Sequence, residues 1–298
     1  MILNEKAGDM MGADNQKQLE RQETLEAIGK LNLLDDNLMT LVFDRNIEAT
    51  ELLLNVILQR SDLKVLEVVA QREYKNPMPG GRSITIDIYA KNGKDKVYDI
   101  EVQRASAGAD VHRARFHSSM IDTKMLKAGQ EFNEIHDSYV IFITAGDVMG
   151  AGCSLYHIDR VIKETGAYFG DGFHIIYVNG SYKDDSDPIG KLMHDFRCLS
   201  SVDMFYPALA KQVRYFKETE GGQAIMCQVF DDLAEKRAEK RAEEARIEEK
   251  KAFARRLIAR GKQTVEEIAE DADLPIEVVR ELAGLQLAQY GNPKVVKY

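Results

Sequence analysis

Residues 83–105 read SITIDIYAKNGKDKVYDIEVQRA. Asn92-Gly93 is a turn signal between two strand-like runs, so this stretch predicts an antiparallel hairpin. Side chains alternate along a strand, which sorts the hairpin into two faces. Ile86 and Ile88 are expected on one face, with Tyr98, Ile100 and Val102 from the second strand. Asp87 and Tyr89 are expected on the other, with Asp99, Glu101 and Gln103. A turn centred near Lys94 sets Asp87 directly opposite Glu101.

Two opposed carboxylates repel and destabilise a sheet unless water screens them or a cation binds them. Hard cations such as Mg²⁺ take oxygen ligands, and carboxylates fixed on rigid strands suit them. The plain alternative is a solvated strand face that happens to be acidic.

Outward from the hairpin, LNLLDDNLMTLVFDRNIEATELLLNVIL (31–58) carries apolar residues at helical spacing, with Asp35 or Asp36 placed to cap the start. Strand-like runs follow at 63–74, 83–90 and 96–103. A helix is expected over 110–129, ending at Gly129, then strands at 138–144 and 174–179. Helix, three strands, helix, strand implies a mixed α/β sheet. Residues 1–30 read as a polar tail or short exposed helix and 31–230 as the main domain. Residues 231–260, where charged side chains alternate in sign and alanines recur at 234, 238 and 242, read as an exposed helical arm. Residues 261–298 read as a short helical pair, opened by a capping box of Thr264 with Glu267.

Composition narrows the function classes. The 298 residues hold 49 acidic and 40 basic side chains, a net charge of −9 that argues against a protein coated in positive charge for nucleic acid. A local basic cleft stays open, because 104–127 sets Arg104, Arg113, Arg115, Lys124 and Lys127 against Asp110 and Asp122. No apolar run reaches transmembrane length, so no membrane partner is expected. Cys153, Cys198 and Cys227 lie far apart, which suits neither a disulfide framework nor a zinc site and points to a reducing, cytoplasmic setting. The histidines show no HxH or HExxH spacing, and no GxSxG motif marks a serine nucleophile.

The spacing D(x13)ExQ on paired strands, with this element order, resembles the PD-(D/E)xK nuclease superfamily. The blocks LLDDNLMTLVFDRNIEATELLLNVIL, GRSITIDIYAK, YDIEVQRA, RARFHSSMID, YVIFIT, YHIDR, FGDGFHIIYVNGSY and GKLMHDF resemble the PD-(D/E)xK nuclease family transposases, the recombination-promoting nucleases of bacteria. That resemblance spans roughly residues 31–230. Ile86 stands where the superfamily motif has proline, and Gln103 where many members have lysine.

The resemblance implies a restriction-endonuclease-like core, a mixed sheet flanked by helices, with an α-helical C-terminal extension. It implies Mg²⁺-dependent hydrolysis of DNA, Mn²⁺ being the natural substitute, in recombination or mobile-element biology. Asp87, Glu101 and the Val102 carbonyl would hold the metal, and Gln103, which cannot titrate, would orient water. Asp36 would be a supporting acid. Arg113 and Arg115, with Arg104, would meet DNA phosphate, with Arg82 a weaker candidate. The alternative is a catalytically inactive DNA- or protein-binding module on the same fold. The second C-terminal helix has one arginine against two glutamates, which makes a poor DNA reader, so those helices are assigned to protein contact or self-association.

Overall fold

A computed structural model describes residues 18–19, 21–104 and 106–290. They group into two compact units, Met1–Val229 and Phe230–Tyr298. Of the polar segment expected over 1–30, residues 1–17 and 20 lie outside the described residues; 21–29 are helical, with Ile28 buried.

The first unit is built on a sheet of β1 (Val65–Tyr74), β2 (Ile84–Asn92), β3 (Val97–Gln103), β4 (Ser138–Thr144), β5 (Leu155–Ile158) and β6 (Phe173–Asn179), in the order β1-β2-β3-β4-β6-β5. β1, β2 and β3 are antiparallel neighbours; β3, β4 and β6 run parallel, and β5 lies antiparallel on β6. The apolar runs of β4 and β6 follow from this placement, since parallel strands between two helical layers bury both faces. In register, Gln103, Thr144 and Asn179 line up at the carboxyl ends of the parallel strands. That edge is where open α/β sheets bind ligands.

The helical patch at 31–58 forms two helices, α1 (Asp36–Phe43) and α2 (Ile47–Ile57), both packed on β1. Arg45, at φ 53°, breaks the run, and Asn46 caps α2 by accepting the Ala49 N–H at 3.1 Å. Asp35 caps α1, accepting the Asn37 N–H at 3.1 Å, which leaves Asp36 as the first helical residue. α3 (Val111–Met125) is the crossover between β3 and β4, capped by Asp110. It stops four residues short of the expected end because the chain turns extended at Leu126.

Three elements escaped the sequence reading: β5, α4 (Pro188–Arg197) and α5 (Pro207–Glu218). Both helices carry proline in the first turn, and Asp187 caps α4, signals that were present. The buried Asp195 in the KLMHDF block is structural: its carboxylate accepts the Phe205 and Tyr206 N–H groups, each at 2.8 Å, at the entry to α5. Asp195→Ala is expected to lower unfolding free energy in urea by about 2–4 kcal/mol, because two backbone N–H groups lose a buried acceptor. Asp195→Asn should recover part of that loss.

α6 (Glu220–Arg260) runs for 41 residues and begins before the expected arm. Within the second unit, Ala254 and Leu257 pack with Ile268 and Ala272 of the α7 region (Val265–Asp271) and with Val279 and Leu282 of α8 (Ile276–Tyr290). The Thr264–Glu267 capping box forms as read from the sequence. Among the described residues, no helix is long and apolar enough to cross a membrane.

Candidate active site

The hairpin register agrees with the sequence reading. Lys91 pairs with Val97 and Ile88 with Ile100, so Asp87 and Glu101 form the next step. At that step side chains take over from backbone pairing. The Asp87 N–H donates to Glu101 Oε1 at 3.2 Å, and the Val102 N–H donates to Asp87 Oδ2 at 3.1 Å. β3 meanwhile stays paired with β4 through Gln103. The strands therefore part where the carboxylates sit, at the ligand-binding edge of the sheet.

The expected faces need one correction. Ile86 and Ile88 do not share a face: Ile84 and Ile86 pack in one cluster with Tyr89, Val69 and Tyr74. Arg72, the register partner of Ile86, lies 3.8 Å from the centre of the Tyr89 ring. The cause is local. Gln71, opposite Asp87 in β1, has φ 52°, and the alternation slips by one residue there. Asp87 is turned into the opening between β2 and β3, where it also accepts from Gln71 Nε2 at 3.3 Å.

The acidic face is not solvated. α3 covers it, and Asp99 and Glu101 are both 0% exposed. α3 carries a buried His117 one turn after Arg113, so the two project from the same helix face toward the carboxylates. Asp99 Oδ2 lies 2.8 Å from His117 Nδ1. Arg113 Nε donates to His117 Nε2 at 3.3 Å, Nη1 donates to the Gly108 carbonyl at 3.2 Å, and Nη2 forms an ion pair with Glu101 Oε2. Because guanidinium only donates, His117 Nε2 must be unprotonated; the ring proton is then on Nδ1 and donates to Asp99. Burial lowers the His117 pKa, in keeping with this neutral tautomer.

Burial raises Asp99 to about 8. Burial, with the charges of Asp99 and Asp87, raises Glu101 to about 9. Burial raises Asp87 as well; the Val102 N–H opposes the shift and Asp36 adds to it. Asp99 Oδ1 is buried and has no hydrogen-bond partner, which favours the protonated form of this carboxyl.

Asp36 is drawn toward this site by clamps on the segment before it. Arg104 Nε donates to the Leu34 carbonyl at 2.9 Å and Nη2 to Asp35 Oδ2 at 2.9 Å. Lys217 Nζ donates to the Leu31 carbonyl at 2.8 Å. Arg104, expected at DNA, is thus engaged in fixing the acidic segment, and Arg113 is engaged with Glu101. Arg115 is exposed and pairs with no carboxylate among the described residues. Gln103 Nε2 lies 3.5 Å from Glu101 Oε2, and its side chain packs against Gly108, where a Cβ would overlap the amide.

The donor set fits a hard divalent cation. Asp87, Asp99 and Glu101, all ionised, exceed Arg113 by two negative charges, the charge of one such ion. Asp99, Glu101 and His117 also bring ligand atoms within 4.8 Å of one another. His117 does not suit a metal here, because its Nδ1 carries the ring proton while Arg113 occupies Nε2. Asp87 and Glu101 each offer carboxylate oxygens of the kind that a hard cation takes.

Sequence reasoning set Asp99 on the acidic face without a role, and His117 stands in the RARFHSSMID block with nothing to mark it. Their 18-residue separation carries no motif, and only the crossover of α3 joins them. No curated protein and no solved structure matches the chain. Residues 41–182 match the family described as PD-(D/E)XK nuclease family transposase. The matched stretch contains all six strands, α3, Asp87 and Glu101, and its mixed sheet between helices is the nuclease-like fold. Over these residues the chain is similar to the PD-(D/E)XK nuclease family transposases.

Proposed function

We propose that the protein is a Mg²⁺-dependent DNA endonuclease, with Asp87 and Glu101 as metal ligands and the Val102 carbonyl as a third. The observation that carries this reading is the parting of β2 and β3 at the Asp87–Glu101 step, with each carboxylate accepting a backbone N–H from across the gap. Those N–H bonds hold both carboxylates in place before a ligand arrives, as catalysis by preorganised groups requires.

A divalent cation there supplies Lewis acidity toward water and a phosphate oxygen. Gln103 orients the attacking water through an amide that neither gains nor loses a proton. Asp36, whose pKa is raised by burial and by Asp35, adds negative charge beside Asp87 and strengthens cation binding. Arg115 and Arg113 grip phosphate and position the DNA backbone without reading sequence. The net charge of −9 limits general affinity for DNA, so binding depends on the metal and falls steeply with salt.

Purified protein is expected to nick supercoiled plasmid with Mg²⁺ or Mn²⁺ and to lose that activity in EDTA. Equal nicking by the wild type, Asp87→Ala and Glu101→Ala would overturn the site assignment. DNA retention without cleavage in either metal would favour a binding module, a reading to which the engagement of Glu101 by Arg113 lends weight.

A further inference from the structure

We propose that Arg113 is a resident counter-cation for Glu101, which a divalent ion must displace, and that this displacement frees the guanidinium for phosphate. The proposal rests on the reading of Asp87 and Glu101 as metal ligands.

Arg113 has three anchors, and they are unequal. Gly108 O and His117 Nε2 are neutral acceptors at 3.2 and 3.3 Å, whereas Glu101 Oε2 is a carboxylate. Charge-assisted hydrogen bonds are about twice as strong as neutral ones, so Glu101 supplies most of the hold. A cation at Glu101 takes that negative charge for itself and repels the guanidinium at close range. The two neutral contacts are the weaker part of the grip, and they do not hold the side chain against that repulsion.

The position of the side chain gives it somewhere to go. Glu101 is fully buried, while the Arg113 side chain is 35% exposed, so the guanidinium sits on the solvent side of the carboxylate. His117 is the positioning residue for the metal-free state. Asp99 holds its Nδ1–H at 2.8 Å, which keeps Nε2 free as an acceptor aimed at Arg113. In the absence of metal, Arg113 thereby pairs with Glu101, whose other donors, the Asp87 N–H and the Gln103 amide, are neutral. Once metal binds, the same group becomes available to DNA, so that phosphate grip follows metal loading.

The test is Mn²⁺ binding to the full chain without DNA, read from the electron paramagnetic resonance of the free ion. Arg113→Gln, which removes the competing charge, should bind Mn²⁺ about tenfold more tightly than the wild type. Glu101→Gln should lose most binding. A structural role for Arg113 has the opposite sign: disordering the site would weaken binding. Equal or weaker binding by Arg113→Gln therefore overturns the proposal.

A wild-type measurement guards against misfolding of that variant. The Arg113 Nε–H resonance, assigned by its loss in Arg113→Lys, should be protected from exchange in EDTA and lose that protection on saturation with Mg²⁺. A resonance that stays protected overturns the proposal. Mn²⁺ binding that needs Glu101 but ignores Arg113 refutes this inference alone. No Mn²⁺ binding by the wild type refutes the metal-site reading, and the inference with it.

Discussion

Asp87→Asn is expected to lower Mg²⁺-dependent plasmid nicking by at least about 10³-fold, with the metal-free protein no less stable than the wild type. The two effects separate because Asp87 has two distinct jobs. Structurally, it accepts the Val102 N–H at 3.1 Å and the Gln71 amide at 3.3 Å. An asparagine carbonyl of the same shape can keep the Val102 bond. Electrostatically, Asp87 is a half-buried charge whose pKa is pushed up by burial and by Asp36. Removing it relieves repulsion in the metal-free state while taking away a carboxylate ligand. A 10³-fold loss corresponds to about 4 kcal/mol of transition-state stabilisation, within reach of a metal contact. Single-turnover nicking and thermal unfolding in EDTA would be measured on the same preparation. Retained nicking would remove Asp87 from the site, and a collapse of stability would make its role structural.

Asp99→Asn should stabilise the metal-free protein increasingly as pH rises. Burial raises Asp99 from 3.8 to about 8, so the folded state holds a proton that the unfolded chain has already released. Stability from such a group is whole below about pH 4 and drains away as pH rises to about 8, at up to about 1.4 kcal/mol per unit. Asparagine has no proton to lose. Its carbonyl can still accept from His117 Nδ1–H, and its amide supplies a permanent donor where the wild type needs a bound proton. The gap in unfolding free energy between Asp99→Asn and the wild type, from urea titrations in EDTA, should widen by about 2–3 kcal/mol between pH 5 and 8. A gap that is constant with pH would mean that Asp99 is ionised throughout, and that its unpartnered oxygen has another explanation.

The hairpin was legible because strand pairing is a local problem. Asn92-Gly93 marks the reversal, and counting outward from Lys94 brings Asp87 to Glu101 without any knowledge of the rest of the chain. Local signals also revealed the Thr264–Glu267 box and the apolar run of β4. The choice between Asp35 and Asp36 as the α1 cap was beyond them, since either side chain can cap. The structure gives that role to Asp35 and leaves Asp36 beside Asp87.

By itself, then, the sequence determined the opposed carboxylates, the run of helix, three strands, helix and strand, and the family resemblance, all of which depend on spacing along the chain. Tertiary structure alone decided the state of those carboxylates. The left-handed Gln71 lies opposite Asp87 in the neighbouring strand, and Asp87 bonds the Val102 N–H across the gap between β2 and β3. The crossover of α3 shuts water away from Asp99 and Glu101, and brings Arg113 and His117 to them. Burial and charge compensation depend on everything that surrounds a group in space, and residues far apart in sequence supply those surroundings.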